Sequence, residues 1–164
     1  MQRLGLNPDD KIYLGPGDFW FGKAPAHIHT ILGSCIAITV WHPRLKIGGM
    51  CHYLLPQTEV RPPDGLQART AGEAMALFLQ AIRRHRTSPQ DYQVKLFGGA
   101  SLLITPQGTV PSPASVSVQN IVSAYHLLKQ YGFSVLKESV GGTGSRRLVF
   151  DLTSEDAWQS LTTR

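Results

Sequence analysis

The amino-acid sequence predicts an α+β sandwich. Three observations carry that reading: extended runs rich in β-branched and aromatic residues come in hairpin-like groups, two segments show helical periodicity, and strands and helices do not alternate strictly as a doubly wound parallel sheet requires. At 164 residues, with no long polar linker, internal repeat or low-complexity segment beyond one Pro/Ser-rich stretch, the chain reads as a single domain over 1–164.

The elements follow in order. Lys11 to Leu14 and Asp18 to Phe21 read as short strands broken by Gly15-Pro16-Gly17. Ile28 to Leu32 leads into a second extended run, Cys35 to Trp41, and Gly48 to Leu55 forms a further strand that stops at Pro56. The first helix starts at Thr70, where Thr70-Ala71-Gly72-Glu73 has the form of a capping box and Ala74, Leu77, Phe78, Ala81, Ile82 and His85 recur at helical spacing. Gln93 to Phe97 is a strand ending at Gly98-Gly99. Pro106 to Ser117 reads as a surface loop, and a second helix runs from about Ser117 to Tyr131. Its apolar stripe is Val118, Ile121, Val122, Tyr125 and Leu128, with Gly132 placed to end it. Ser134 to Ser139 and Arg147 to Leu152 are the last strands, separated by Gly141-Gly142-Thr143-Gly144. Neither glycine cluster continues into the Lys-Ser/Thr or the helix that a phosphate cradle needs.

Composition excludes several classes. With 42% hydrophobic and 16% charged residues, the chain is neither disordered nor membrane-inserted, and no apolar run approaches the length of a spanning helix. Residues 1–10 lack the apolar core of a signal peptide, so the expected location is the cytoplasm. In that reducing compartment the two cysteines, Cys35 and Cys51, should be thiols. The formal charge of +5 comes with short basic clusters at residues 83–86 and 146–147, but without aromatic interleaving or a nucleic-acid motif, so it reads as a solvated basic face with no nucleic-acid partner.

The chemistry concentrates between Leu32 and Pro56. If a two-residue turn at Pro43-Arg44 joins the two strands, position 42 pairs with 45 and the same register sets Cys35 directly opposite His52. Opposed residues have Cβ atoms about 4.5–5.5 Å apart, close enough for an imidazole to take a thiol proton. A slip of one residue would instead set Cys35 against Cys51 or Tyr53. Gly33-Ser34 approaches the cysteine with little side chain, which lets backbone N–H groups face an oxyanion. Thr30 is the nearest group able to fix the tautomer of His52. Alternation places Met50, His52 and Leu54 on one face and Cys51, Tyr53 and Leu55 on the other, so Cys51 reads as a packed thiol. His27, His29 and His42 read most simply as loop or strand-end histidines.

These residues are arranged in motifs that resemble the CheD family of chemoreceptor glutamine deamidases. Leu32-Gly33-Ser34-Cys35 and the segment Gly48-Gly49-Met50-Cys51-His52-Tyr53-Leu54-Leu55-Pro56 resemble its two active-site motifs. Lys95-Leu96-Phe97-Gly98-Gly99-Ala100, Asn120, and Gly141-Gly142 followed by Arg146 resemble three more, in the same order. Cys51 stands where the family commonly has asparagine, and Ser145 offsets the last motif by one residue. The resemblance implies a layered α/β/β/α sandwich with mixed, largely antiparallel sheets and two main helices. It also implies Cys35 as nucleophile, His52 as general base, and a threonine upstream of the cysteine as third member. That threonine is Thr30, unless the family's spacing is one residue longer, in which case His29 takes the position. The implied reaction converts receptor glutamines to glutamate through a thioester, with no cofactor, and the implied partners are chemoreceptor cytoplasmic domains and a CheC-type phosphatase.

Two other readings stay open on sequence. One is a non-catalytic chemotaxis adaptor that binds receptors or the phosphatase. The other is a small metal-binding protein using Cys35, Cys51 and His52 with a fourth ligand such as His29, although thiolate sites favour tighter Cys-x-x-Cys spacing.

Overall fold

The computed structural model describes residues 11–101, 112–154 and 157–162. In chain order the elements are β1 (Lys11–Leu14), β2 (Phe19–Lys23), β3 (His27–Leu32), β4 (Ile36–His42), β5 (Ile47–Cys51), α1 (Ala71–Arg84), a 3-10 turn at Pro89–Asp91, β6 (Gln93–Gly98), α2 (Val116–Gln130), β7 (Val135–Val140), β8 (Ser145–Asp151) and β9 (Ala157–Thr162). They form a five-stranded sheet in the order β2-β5-β4-β6-β7 and a four-stranded sheet in the order β1-β3-β8-β9. The pairs β1/β3 and β6/β7 are parallel, and the other pairs are antiparallel.

Strand β4 explains the layering. It is buried along its whole length, and its side chains alternate between two cores. Ile36, Ile38 and Val40 pack with Ala74, Met75, Phe78 and Ile82 of α1 and with Ala124, Leu127 and Leu128 of α2. Ala37 and Trp41 point the other way, into a core shared with Met50, Phe97, Ile28, Leu32, Leu148 and Phe150. Both helices therefore cover one face of the five-stranded sheet, and the four-stranded sheet covers the other. The α+β class, the two helices and the mixed, mainly antiparallel sheets are as the sequence predicts. Among the described residues, however, the layers run α/β/β: the outer face of the four-stranded sheet carries no helix, and Tyr13 and Ile31 stand exposed there.

Local chemistry sets the helix starts. Thr70 accepts from the Glu73 N–H at 3.1 Å while Glu73 accepts from the Thr70 N–H at 3.1 Å, the reciprocal capping box that the sequence shows. Ser115 caps α2 by accepting from the Val118 N–H at 3.4 Å, so this helix begins slightly before the expected start at Ser117. Its buried face also differs from the predicted stripe. Ser117, Asn120, Ser123, Ala124, Leu127 and Leu128 are buried, whereas Val122 is 53% exposed. The Pro106–Ser117 stretch lies outside the described residues up to position 111, and its last two residues belong to α2. Strand β9 has no counterpart in the sequence reading; it pairs antiparallel with β8, Leu148 lying opposite Gln159.

The β4–β5 hairpin corrects the predicted register. His42 pairs with Ile47, so the loop is the four residues 43–46. The His42 ring accepts from the Leu45 N–H at 3.1 Å, the Lys46 N–H donates to the His42 carbonyl at 2.9 Å, and Lys46 takes the left-handed region at φ 52°. The register thus moves by two residues: Thr39 pairs with Met50 and Ile36 bridges Tyr53. Cys35 is not directly opposite His52 as predicted. A two-residue shift does preserve the face on which each side chain lies.

Candidate active site

Three segments meet at one end of the two sheets. Strand β3 of the four-stranded sheet ends at Leu32, and the bend Gly33–Cys35 carries the chain across to β4 in the five-stranded sheet. Ile36 and Tyr53, bridged to each other, both face the helices. Their neighbours Cys35 and His52 consequently face the space between the sheets, and Cys35 packs against the core there. Cys35 lies diagonal to His52 across the strand pair, a relation that places Cβ atoms roughly 7–8 Å apart or somewhat less. Ala37, extrapolating the same register, comes opposite His52 and leaves room for its ring.

From the facing sheet, Thr30 reaches His52. Its Oγ1 lies 2.7 Å from His52 Nδ1 and also donates to the Leu14 carbonyl at 2.8 Å. A hydroxyl has one proton, and this one goes to Leu14, so Oγ1 accepts from the imidazole. His52 therefore carries its proton on Nδ1, and Nε2 holds the free lone pair. That Nε2 is buried and makes no hydrogen bond among the described residues. Burial lowers the His52 pKa to about 4, partly opposed by the Asp18 carboxylate, so the ring is neutral at physiological pH and available as a base. Burial also raises the Cys35 pKa. No hydrogen bond joins Cys35 to His52. The resting pair is a neutral thiol beside a neutral imidazole, and proton transfer would accompany attack on a substrate.

The bend before the cysteine is held from outside. The Gly33 carbonyl accepts from the Ala100 N–H at 2.9 Å, the Ser34 carbonyl from Asn120 Nδ2 at 3.0 Å, and the Cys35 carbonyl from the Gly99 N–H at 2.9 Å. Three carbonyls in succession are thus anchored, and among the described residues neither the Ser34 nor the Cys35 N–H donates to a backbone carbonyl outside the strand ladders.

Other sequence candidates fall elsewhere. Cys51 is fully buried against the helices, away from His52, with its pKa pushed up to about 12 by burial. His29 lies on the outer face of the four-stranded sheet, its ring 5.0 Å from that of Tyr13. The metal reading needs Cys35, Cys51 and His52 on one side, and they are not; among the described residues no group of three or more His, Cys, Asp or Glu side chains could hold a metal ion. Residues 146 and 147 do not form a solvated pair. Arg147 is exposed, but Arg146 is buried and donates to the Gly98 carbonyl at 3.4 Å and the Gly141 carbonyl at 2.7 Å. Arg146 and the Asn120 side chain are contributions that residue typing alone does not reveal, because both act on backbone carbonyls. Among the described residues no helix is long and apolar enough to cross a membrane.

Comparison with known proteins places this geometry in context. The family description "CheD chemotactic sensory transduction" matches residues 54–160. A protein of Dechloromonas aromatica (strain RCB) named "Probable chemoreceptor glutamine deamidase CheD 3" is 43% identical over 148 residues, covering 90% of this chain and 85% of its own. A Chromobacterium violaceum protein named "Probable chemoreceptor glutamine deamidase CheD 1" is 40% identical, with 91% and 76% covered. One of the same name from Leptospira interrogans is 36% identical, with 90% and 91% covered. Matches of that length in a chain of 164 residues include positions 35 and 52. Among solved structures, the Bacillus licheniformis hypothetical protein YfiH superposes with a TM-score of 0.47 and 11% identity over 74% of this chain and 50% of its own.

Proposed function

Since this chain belongs to the CheD family, we propose that it is a cytoplasmic protein-glutamine deamidase acting on chemoreceptor cytoplasmic domains, with Cys35 as nucleophile, His52 as general base and Thr30 fixing the His52 tautomer. The observation that carries this reading is the buried Nε2 of His52, unbonded among the described residues, on a ring that shares its face of the sheet with Cys35 and is fixed through Nδ1 by Thr30.

In the first half-reaction the Cys35 thiol adds to the side-chain amide carbon while His52 Nε2 takes the thiol proton. The tetrahedral oxygen accepts from the Ser34 and Cys35 N–H groups, with Gly33 leaving the approach clear. His52 then returns the proton to the amide nitrogen, the C–N bond breaks, and ammonia leaves behind a thioester. In the second half-reaction His52 takes a proton from water, the hydroxyl oxygen adds to the thioester carbonyl, and collapse releases glutamate and the thiol. Every proton moves through one imidazole, so no metal or organic cofactor enters. The acyl step is common to deamidases, proteases and transglutaminases; the names of the relatives favour deamidation and receptor substrates.

A non-catalytic adaptor would need neither a fixed tautomer nor a bare Nε2, so the geometry favours the enzyme. Binding to a CheC-type phosphatase is compatible with either role. Incubation with chemoreceptor cytoplasmic fragments should release ammonia and convert particular glutamines to glutamate, as read by peptide mass spectrometry. Tight receptor binding with neither product would establish the adaptor instead.

A further inference from the structure

We propose that Asn120 is the positioning residue that sets the Cys35–His52 geometry; this rests on the deamidase reading of the same site. The need for such a residue follows from the ladder. The β4–β5 pairing is continuous only as far as Thr39↔Met50 and then resumes as the single bridge Ile36↔Tyr53. His52 lies within this interruption and Cys35 beyond the bridge, so between β4 and β5 the two are held through the reciprocal Ile36–Tyr53 hydrogen bonds alone.

Asn120 supplies what the ladder lacks. It is fully buried in α2, and its one Nδ2 group donates both of its protons, to the Ser34 carbonyl at 3.0 Å and to the Leu54 carbonyl at 2.9 Å. Ser34 precedes the cysteine by one residue, and Leu54 follows the histidine by two. One planar amide therefore spans the two chain segments that carry the reacting groups. Its orientation is unambiguous, since the opposite flip would set Oδ1 against two carbonyl oxygens. The backbone of the same residue is fastened as well: the Asn120 carbonyl accepts from the Tyr53 hydroxyl at 2.5 Å and the Ser123 hydroxyl at 3.1 Å. Tyr53 lies between His52 and Leu54, so the helix grips the histidine segment twice. Among the described residues the buried Asn120 Oδ1 has no partner. That orphan acceptor is a net cost to folding, which fits a side chain retained for where its donors point.

The test uses Asn120→Asp, which keeps the shape but offers at most one proton to the two carbonyls, and Asn120→Ser, whose hydroxyl can serve only one, should the buried acid impair folding. Both are made in a Cys51→Ala background so that Cys35 is the only thiol. Two quantities are read: the pH profile of Cys35 alkylation by iodoacetamide, and steady-state kinetics on a receptor fragment. In the parent, base assistance from His52 should sustain alkylation across the neutral range. In the variants the rate should rise continuously with pH, as for a lone half-buried thiol, and kcat should fall by up to about 10²-fold, the scale of a misplacement near 1 Å, with KM changed by no more than roughly twofold. Variants that melt like the parent and keep its alkylation profile and kcat would overturn the positioning role and leave the deamidase reading intact. A parent that itself alkylates like a lone thiol would overturn the dyad, and this proposal with it.

Discussion

At the level of single residues, one proton decides the chemistry. Because the Thr30 hydroxyl donates to Leu14, the imidazole must donate from Nδ1, which leaves Nε2 as the atom that would act as the proposed base. Cys35→Ala should therefore abolish deamidation. Cys51→Ala, on the far side of the sheet, should retain most of it at a stability cost of about 1 kcal/mol for the small cavity. Equal loss in the two variants, both folded, would sink this assignment. The His52 pKa also makes a stability prediction. In the unfolded chain His52 protonates near its ordinary 6.5, but in the fold only near about 4. The stabilisation is thus complete above pH 6.5 and is lost as the pH falls through that window toward 4, amounting to roughly 3 kcal/mol if the whole shift is realised. Urea midpoints at neutral pH and near pH 4 should diverge less for His52→Gln than for the parent; parallel losses would mean that other groups govern acid sensitivity. The acidic limb of activity should likewise lie below 6.5 in the parent. Cys35, His52 and Thr30 are legible in the sequence because thiol, imidazole and hydroxyl are the side-chain types that the proposed chemistry needs. Asn120 and Arg146 are legible only as motif positions of the resemblance, and not in what they do, since they hold carbonyls whose positions only the fold reveals.

Secondary-structure elements show where pattern reading holds and where tertiary demands override it. The start of α1 is legible because its capping box is local, involving only residues 70–73. The face of α2 is not, because Ser117, Asn120 and Ser123 are buried for their contacts and not for their hydrophobicity, which turns the buried stripe away from Val122. The hairpin register fails for a related reason: Pro43 advertises a tight turn, but the loop closes through the His42 ring and a left-handed Lys46, a conformation that no residue type announces. Strand β6 makes the strongest prediction at this scale. Gly98 has φ +111°, and a Cβ there would stand 2.1 Å from the Cys35 carbonyl oxygen, so any side chain must push β6 or the cysteine bend aside. Gly141 also has positive φ, +79°, but open space around it. Gly98→Ala should lose activity by up to about 10²-fold as the nucleophile shifts, whereas Gly141→Ala should pay only the left-handed penalty of about 1–2 kcal/mol and keep its rate. Similar rates in the two variants would show that the cysteine bend tolerates the displacement.

The whole molecule places the proposed nucleophile and base, Cys35 and His52, at the ends of strands of one sheet and Thr30, the group proposed to orient the base, on the other. Leu14 and Thr30 belong to β1 and β3 of the four-stranded sheet, while His52 follows β5 of the five-stranded sheet, so the Leu14–Thr30–His52 chain of hydrogen bonds is a bond between sheets. The site is complete only when Leu148 and Phe150 pack against Ala37 and Met50 to bring the sheets together. Sequence motifs name the participants but do not state this dependence on sheet docking. Thr30→Val tests it, since valine keeps the branched shape and removes the hydroxyl. The Leu14 carbonyl and the His52 Nδ1–H then lose their shared partner, which should cost about 1–3 kcal/mol. The ring also loses what selects its tautomer. In the parent, 15N chemical shifts of His52 should report a protonated Nδ1 and a bare Nε2 at neutral pH; in Thr30→Val the two tautomers should mix and kcat should fall with little change in KM. The rate loss should be smaller than for His52→Gln, because the base survives and only its orientation is lost. A parent spectrum showing the proton on Nε2 would reverse the direction of the Thr30 bond. Nε2 could then not accept the Cys35 proton, and the base would have to be sought elsewhere.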